Sequence, residues 1–187
     1  MSMADMEPHA WYTAEDVLEG VMLDRTKHTD AAAVVALVVP TISLIAAYGS
    51  QRLADLVPCH LCLQQRWPHF AAILLALLAM FPGIPLRAQR LLIACAAGAI
   101  ATTGMIGAFH AGVEYGWWTY VSPCTGSMTT TGTSAIEAIM AAPLVRCDEA
   151  AFRFLGISMA GWNAVISLAT ASFIAVTLFR TRRTSTP

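Results

Sequence analysis

The sequence predicts an all-α membrane protein, a four-transmembrane-helix bundle with two extracytoplasmic loops that carry cysteines. Three observations predict it. Of the 187 residues, 57% are hydrophobic and only 12% charged, whereas about a quarter are charged in a soluble domain. Four apolar runs, at 31–49, 61–81, 86–108 and 156–179, are near the ~20 helical residues that cross a hydrocarbon core about 30 Å thick. Basic residues are uneven across the intervening loops. Arg25, Lys27, Arg87, Arg90, Arg180, Arg182 and Arg183 fall on one side, against Arg52, Arg146 and Arg153 on the other. The positive side is cytoplasmic, so both termini face the cytoplasm and the cysteine loops face outward. In a bacterium this is the inner membrane with its loops in the periplasm, where disulfides persist. The net charge of -1, with no basic stripe, gives no ground for a nucleic-acid partner.

Residues 1–30 form a cytoplasmic acidic segment holding Asp5, Glu7, Glu15, Asp16, Glu19, Asp24 and Asp30. It lacks the basic and apolar regions of a cleavable signal, so the first span is expected to serve as an uncleaved insertion signal. Thr13-x-x-Asp16 resembles a capping box opening a short surface helix over 13–23. The membrane domain then covers 31–180, with a cytoplasmic tail at 181–187. Pro40 in the first span predicts a kink, since neighbours can satisfy the carbonyl it frees. Gly104 and Ala108 form a small-xxx-small pair in the third span. The fourth is dense in small residues, and its Asn163 reads as an interhelical hydrogen bond. Cys95, alone in the run 91–99, reads as a small buried hydrophobe.

The chemistry concentrates at Pro58-Cys59-His60-Leu61-Cys62, a Cys-x-x-Cys pair where a membrane helix begins. Free N–H groups and the helix dipole favour a thiolate there, which suits repeated oxidation and reduction. A static disulfide or half a metal site is the plainer alternative. Arg66 stands at i+4 from Cys62 and shares its helix face, about 5–6 Å away. It can stabilise a Cys62 thiolate or hold the oxygen of an acceptor; otherwise it anchors at the headgroups. His69 reads as a packed or interfacial histidine. The second outer loop, 110–155, opens with an interfacial aromatic cluster at Tyr115, Trp117, Trp118 and Tyr120. Cys124 follows, then a linker-like stretch at 125–133, a surface helix opened by Ser134-x-x-Glu137, and Cys147. A rigid pair beside a spaced, tethered pair suggests a relay by thiol-disulfide exchange. With no haem or iron-sulfur ligand set in the chain, a lipid quinone is the natural acceptor.

These residues resemble the disulfide bond formation protein B (DsbB) family. The likeness rests on Pro-Cys59-x-x-Cys62 with Arg66, on His110-Ala-Gly-Val-Glu114 before Pro123-Cys124, and on Arg146-Cys147-Asp148-Glu149. It continues from Phe154 to Asn163 and covers 31–179. The resemblance implies a membrane oxidoreductase that reoxidises a periplasmic DsbA-like protein of thioredoxin fold and reduces ubiquinone or menaquinone. It implies that Cys124 forms the mixed disulfide with that partner, and that Cys147 resolves it and pairs across loops with Cys59. Cys62 would face the quinone, with Arg66, His110 and Glu114 near it. A zinc site built on Cys59, His60, Cys62 and His69 or His110 would need four tetrahedral ligands. A four-span scaffold with static loop disulfides explains the cysteine topology but neither Arg66 nor the Cys-x-x-Cys. In vitamin K epoxide reductase-like enzymes the spaced pair precedes the Cys-x-x-Cys, the reverse of the order here.

Overall fold

A computed structural model describes residues 14–120 and 147–183, with side chains over 28–120 and 147–180. The helices are α1 (Ala14–Leu53), α2 (His60–Gln64), α3 (Arg66–Ala79), α4 (Leu86–Glu114) and α5 (Met159–Arg183), with a two-stranded hairpin before α5. Three segments, His28–Leu53, Leu86–Glu114 and Met159–Arg180, are long and apolar enough to cross a membrane. This makes the chain a multi-pass membrane protein. The run expected to span at 61–81 falls on α2 and α3, neither of which reaches that length alone. Pro68 accounts for the division: it lacks the N–H that would bond the Gln64 carbonyl, and its ring crowds that carbonyl.

Several sequence boundaries move. Helix α1 runs unbroken from Ala14 through Pro40, in place of a short surface helix followed by a span at 31–49. Around Pro40, Thr41 Oγ1 and Ser43 Oγ donate to the carbonyls of Leu37 (2.7 Å) and Val39 (3.0 Å). Helix α4 extends past 108 to Glu114 and stops at Gly116, whose φ of 73° is left-handed. There Trp117 N–H donates to Gly112 O and Gly116 N–H to Val113 O, the paired bonds of a Schellman end. Residues 156–158 belong to the hairpin and not to the last span. Its strands β1 (Arg153–Phe154) and β2 (Ile157–Ser158) pair antiparallel through a two-residue turn with positive φ at Leu155 and Gly156, as a type I′ turn requires. Ser158 Oγ then accepts the Gly161 N–H at 3.1 Å and caps α5.

The helices pack by small residues. One cluster joins Ala32, Ala33 and Ala36 of α1, Ala72, Ala76 and Ala79 of α3, Ile93, Ala96, Ala97 and Ile100 of α4, and Ala171 and Ile174 of α5. Large side chains such as Ile42, Ile45, Leu74 and Leu77 point outward, where lipid solvates them as well as protein would. The close approach of α4 to α5 is made at Gly104 and Gly107, not at Gly104 and Ala108. A Cβ on Gly107 would lie 2.9 Å from Ala160 O and 3.1 Å from Ala164 N. Cys95 corrects another expectation: it is exposed on the outside of the bundle, because Ala96, Ala97 and Ile100 occupy the inward face of α4.

Candidate active site

The opposite end of the bundle, where α1 finishes and α2 begins, is polar. Helix α2 starts at His60 because Cys59 caps it: the Cys59 backbone is extended and its Sγ accepts the Cys62 N–H at 3.2 Å. That Sγ also lies 2.8 Å from Cys62 Sγ, within reach of a thiol hydrogen bond. The Cys59 thiol is pushed well above the ordinary range, first by this hydrogen bond and then by burial. The helix-start argument for an activated thiolate therefore does not apply to Cys59. Cys147 is buried in the same cluster as Cys59, with Leu61 and Val113, and Cys62 packs against it. Cys124, Arg146 and the surface helix expected from Ser134 lie outside the described residues.

Arg66 is buried, not snorkelled to a headgroup. Its guanidinium lies 4.6 Å from the centre of the Tyr48 ring and donates to the Gln51 side-chain oxygen, so α1 holds it. From α4, His110 brings Nε2 to 3.5 Å from Cys59 Sγ and 3.6 Å from Glu114 Oε1. His60 turns away from the cysteines, its Nδ1 2.9 Å from Tyr120 Oη. Trp118 folds back onto α4, donating to Phe109 O at 2.9 Å and stacking on the Phe109 ring.

A chain of amides connects the histidines. Gln65 Nε2 donates to Leu61 O at 3.1 Å; a backbone carbonyl only accepts, which fixes the amide's orientation. The same nitrogen lies 2.9 Å from His110 Nδ1, so that ring nitrogen accepts and the ring proton sits on Nε2. Gln65 Oε1 accepts from Asn163 Nδ2 at 2.7 Å, and this nitrogen also reaches the Thr103 carbonyl at 3.3 Å. Asn163 Oδ1 is left to accept from His69 Nε2 and Ser167 Oγ, both at 3.0 Å. Asn163 thus makes the interhelical bonds expected of it. Gln65 and Thr103 were missed; a glutamine inside an apolar run is the signal that marks them.

Beside this network lies a cavity of about 740 Å³. Leu44 and Ala47 of α1, Arg66 and His69 of α3, and Trp162 and Asn163 of α5 line it, and Cys59 and Cys62 open onto it. Two buried nitrogens among its lining residues, Arg66 Nε and His69 Nδ1, have no hydrogen-bond partner among the described residues.

The model of the family described as disulfide bond formation protein DsbB matches residues 29–177. The chain belongs to the DsbB family. Membership makes it a membrane protein of disulfide formation with oxidoreductase character, in a family that is generally linked to quinones and to a periplasmic thiol oxidant. The matched range takes in Cys59, Cys62, Arg66, His110, Cys124 and Cys147. The chain is also similar to the uncharacterized protein RP370 of Rickettsia prowazekii (strain Madrid E), 27% identical over 153 residues, which are 78% of this chain and 87% of that protein. No solved structure matches it.

Proposed function

We propose that this DsbB-family chain is a protein-dithiol:quinone oxidoreductase that reoxidises a periplasmic DsbA-like thioredoxin-fold protein and passes the electrons to ubiquinone or menaquinone. The observation that carries this reading is the shared space of thiol pair and cavity: Cys59, Cys62, Arg66 and His69 all line it. Its volume is that of a small-molecule site. The unpartnered N–H of Arg66 Nε in a largely apolar surround suits a ligand with an oxygen acceptor on an apolar body. A quinone there supplies an acceptor for two electrons and two protons.

The residues divide the work. Cys124 forms the mixed disulfide with the partner and releases Cys147. Cys147, buried beside Cys59, carries the exchange to the inner pair. In the final step two S–H bonds at Cys59 and Cys62 break and one S–S bond forms, and two electrons and two protons leave for the acceptor. Arg66 and His110 flank the pair. Helices α2 and α3 together rise about 30 Å at 1.5 Å per residue, and we take them as the fourth span. Both termini are cytoplasmic by the distribution of Lys and Arg.

A second reading has one observation in its favour. The ligand atoms of Cys59, Cys62 and His110 lie within 4.8 Å of one another and could hold a metal ion. The surroundings oppose it. A metal-bound histidine donates its other ring N–H outward, whereas Gln65 donates to His110 Nδ1 and keeps the proton on the nitrogen that would bind.

The test is anaerobic and stoichiometric. Purified protein in detergent receives a reduced DsbA-like partner, and quinone loss is followed optically for wild type, Cys62→Ala and Cys124→Ala. Quinone reduction matched by partner oxidation, and abolished by either substitution, is expected. If the wild type reduces neither ubiquinone nor menaquinone while its cysteines stay oxidised, the chain is a scaffold with static loop disulfides.

A further inference from the structure

Resting on the quinone reading above, we propose that His69 is a hydrogen-bond acceptor for a phenolic hydroxyl in the cavity, so that the site binds the reduced hydroquinone more tightly than the quinone. The argument begins with two backbone carbonyls. Leu61 O orients the Gln65 amide and Thr103 O orients the Asn163 amide, because neither carbonyl can donate. The Gln65 oxygen takes the Asn163 N–H, which leaves Asn163 Oδ1 as the acceptor facing His69 Nε2. The ring proton of neutral His69 is therefore on Nε2, and Nδ1 carries a bare lone pair. That atom is buried and has no hydrogen-bond partner among the described residues, on a side chain that lines the cavity.

A buried acceptor without a donor is costly, and the chemistry of the missing group follows from it: the ligand atom must be an O–H or N–H. A quinone presents carbonyl oxygens, which only accept and would set lone pair against lone pair. A hydroquinone presents hydroxyls. The wall that meets the product's hydroxyl thus favours the product, and Asn163 acts on this preference as a positioning residue through the His69 tautomer. A site that holds hydroquinone tenfold more tightly than quinone raises the potential of the bound couple by about 30 mV, which strengthens it as an oxidant of the dithiol. His110, whose Nδ1 is already engaged by Gln65, offers no such atom.

The test measures binding without electron transfer. Ubiquinone-1 is titrated into the disulfide form and ubiquinol-1 into the dithiol form, anaerobically, by calorimetry, for full-length wild type, His69→Phe, His69→Gln and Asn163→Leu. The expected result is a loss of about tenfold in ubiquinol affinity for His69→Phe and Asn163→Leu, with ubiquinone affinity held within about twofold. His69→Gln, which keeps a side-chain carbonyl acceptor, recovers most of the ubiquinol affinity. Equal weakening of both ligands in a variant that stays monodisperse, or no change in either, overturns the proposal. A wild type that binds neither ligand and reduces no quinone removes the quinone reading itself, an outcome distinct from the others because it needs no variant.

Discussion

The two ends of this bundle are built on opposite principles. At the end holding Ala32, Ala76, Ala96 and Ala171, helices meet through methyl groups, and nothing in the contact specifies direction or protonation. At the other end Gln65, Thr103, Asn163 and Ser167 meet through hydrogen bonds that fix orientation, atom by atom, from Leu61 O to His69. The difference teaches that the alanine end sets distance between helices, while the polar end sets which atoms are donors and which acceptors. The close approach at Gly104 and Gly107 is where the two meet, since the amide of Asn163 lies 3.2 Å from where a Gly107 side chain would begin.

Substitutions can separate the two roles. Gly107→Leu has the largest expected effect: backbone atoms of α5 stand where its side chain would go, and the helices must part. We expect a loss of about 3 kcal/mol, the upper range for overpacking, together with loss of quinone reduction, read by thermal unfolding in detergent and by turnover. Asn163→Leu should cost about 2 kcal/mol, because it strands Gln65, His69 and Ser167, and one buried unsatisfied group costs about 1–3 kcal/mol. An equal cost for Ala96→Gly would break the comparison, since that change in the alanine end is expected to cost about 1 kcal/mol. In the reduced protein at pH 8, Cys59 should be alkylated about tenfold more slowly than Cys62, by mass spectrometry of iodoacetamide-trapped samples. The sign follows from the raised Cys59 pKa: its reactive thiolate appears only above the ordinary thiol range, and the rate climbs as pH rises toward it. Cys95→Ala is the smallest: on the outward face of α4 it should change stability by less than about 0.5 kcal/mol and leave turnover unaltered.

Apolar runs made three membrane helices legible, because hydropathy depends on composition alone. Their ends were not, since helix termination rests on single residues: Gly116 carries α4 one turn and more past the apolar run, and Ser158 delays α5 beyond Gly156. The Cys-x-x-Cys and Arg66 were legible as motifs. The burial of Arg66 against Tyr48 was not, because that contact joins α1 to α3 and no local pattern encodes it. Cys95 was misjudged for a related reason: in lipid both faces of a helix are apolar, so periodicity does not tell inside from outside. Gln65 went unremarked beside the charged Arg66, although it makes more of the network's bonds.

Tyr120 is fastened to His60, and Cys147 is fastened in the cluster with Cys59. Tyr120 and Cys147 thus stand on the same small area, the start of α2. Cys124 comes four residues after Tyr120, and at 3.3–3.6 Å per residue that length of chain spans at most about 14 Å. In the proposed relay a partner's sulfur must come within about that reach of Tyr120 to meet Cys124. In that relay the exchange is therefore held beside the start of α2, where Cys59 and Cys62 stand.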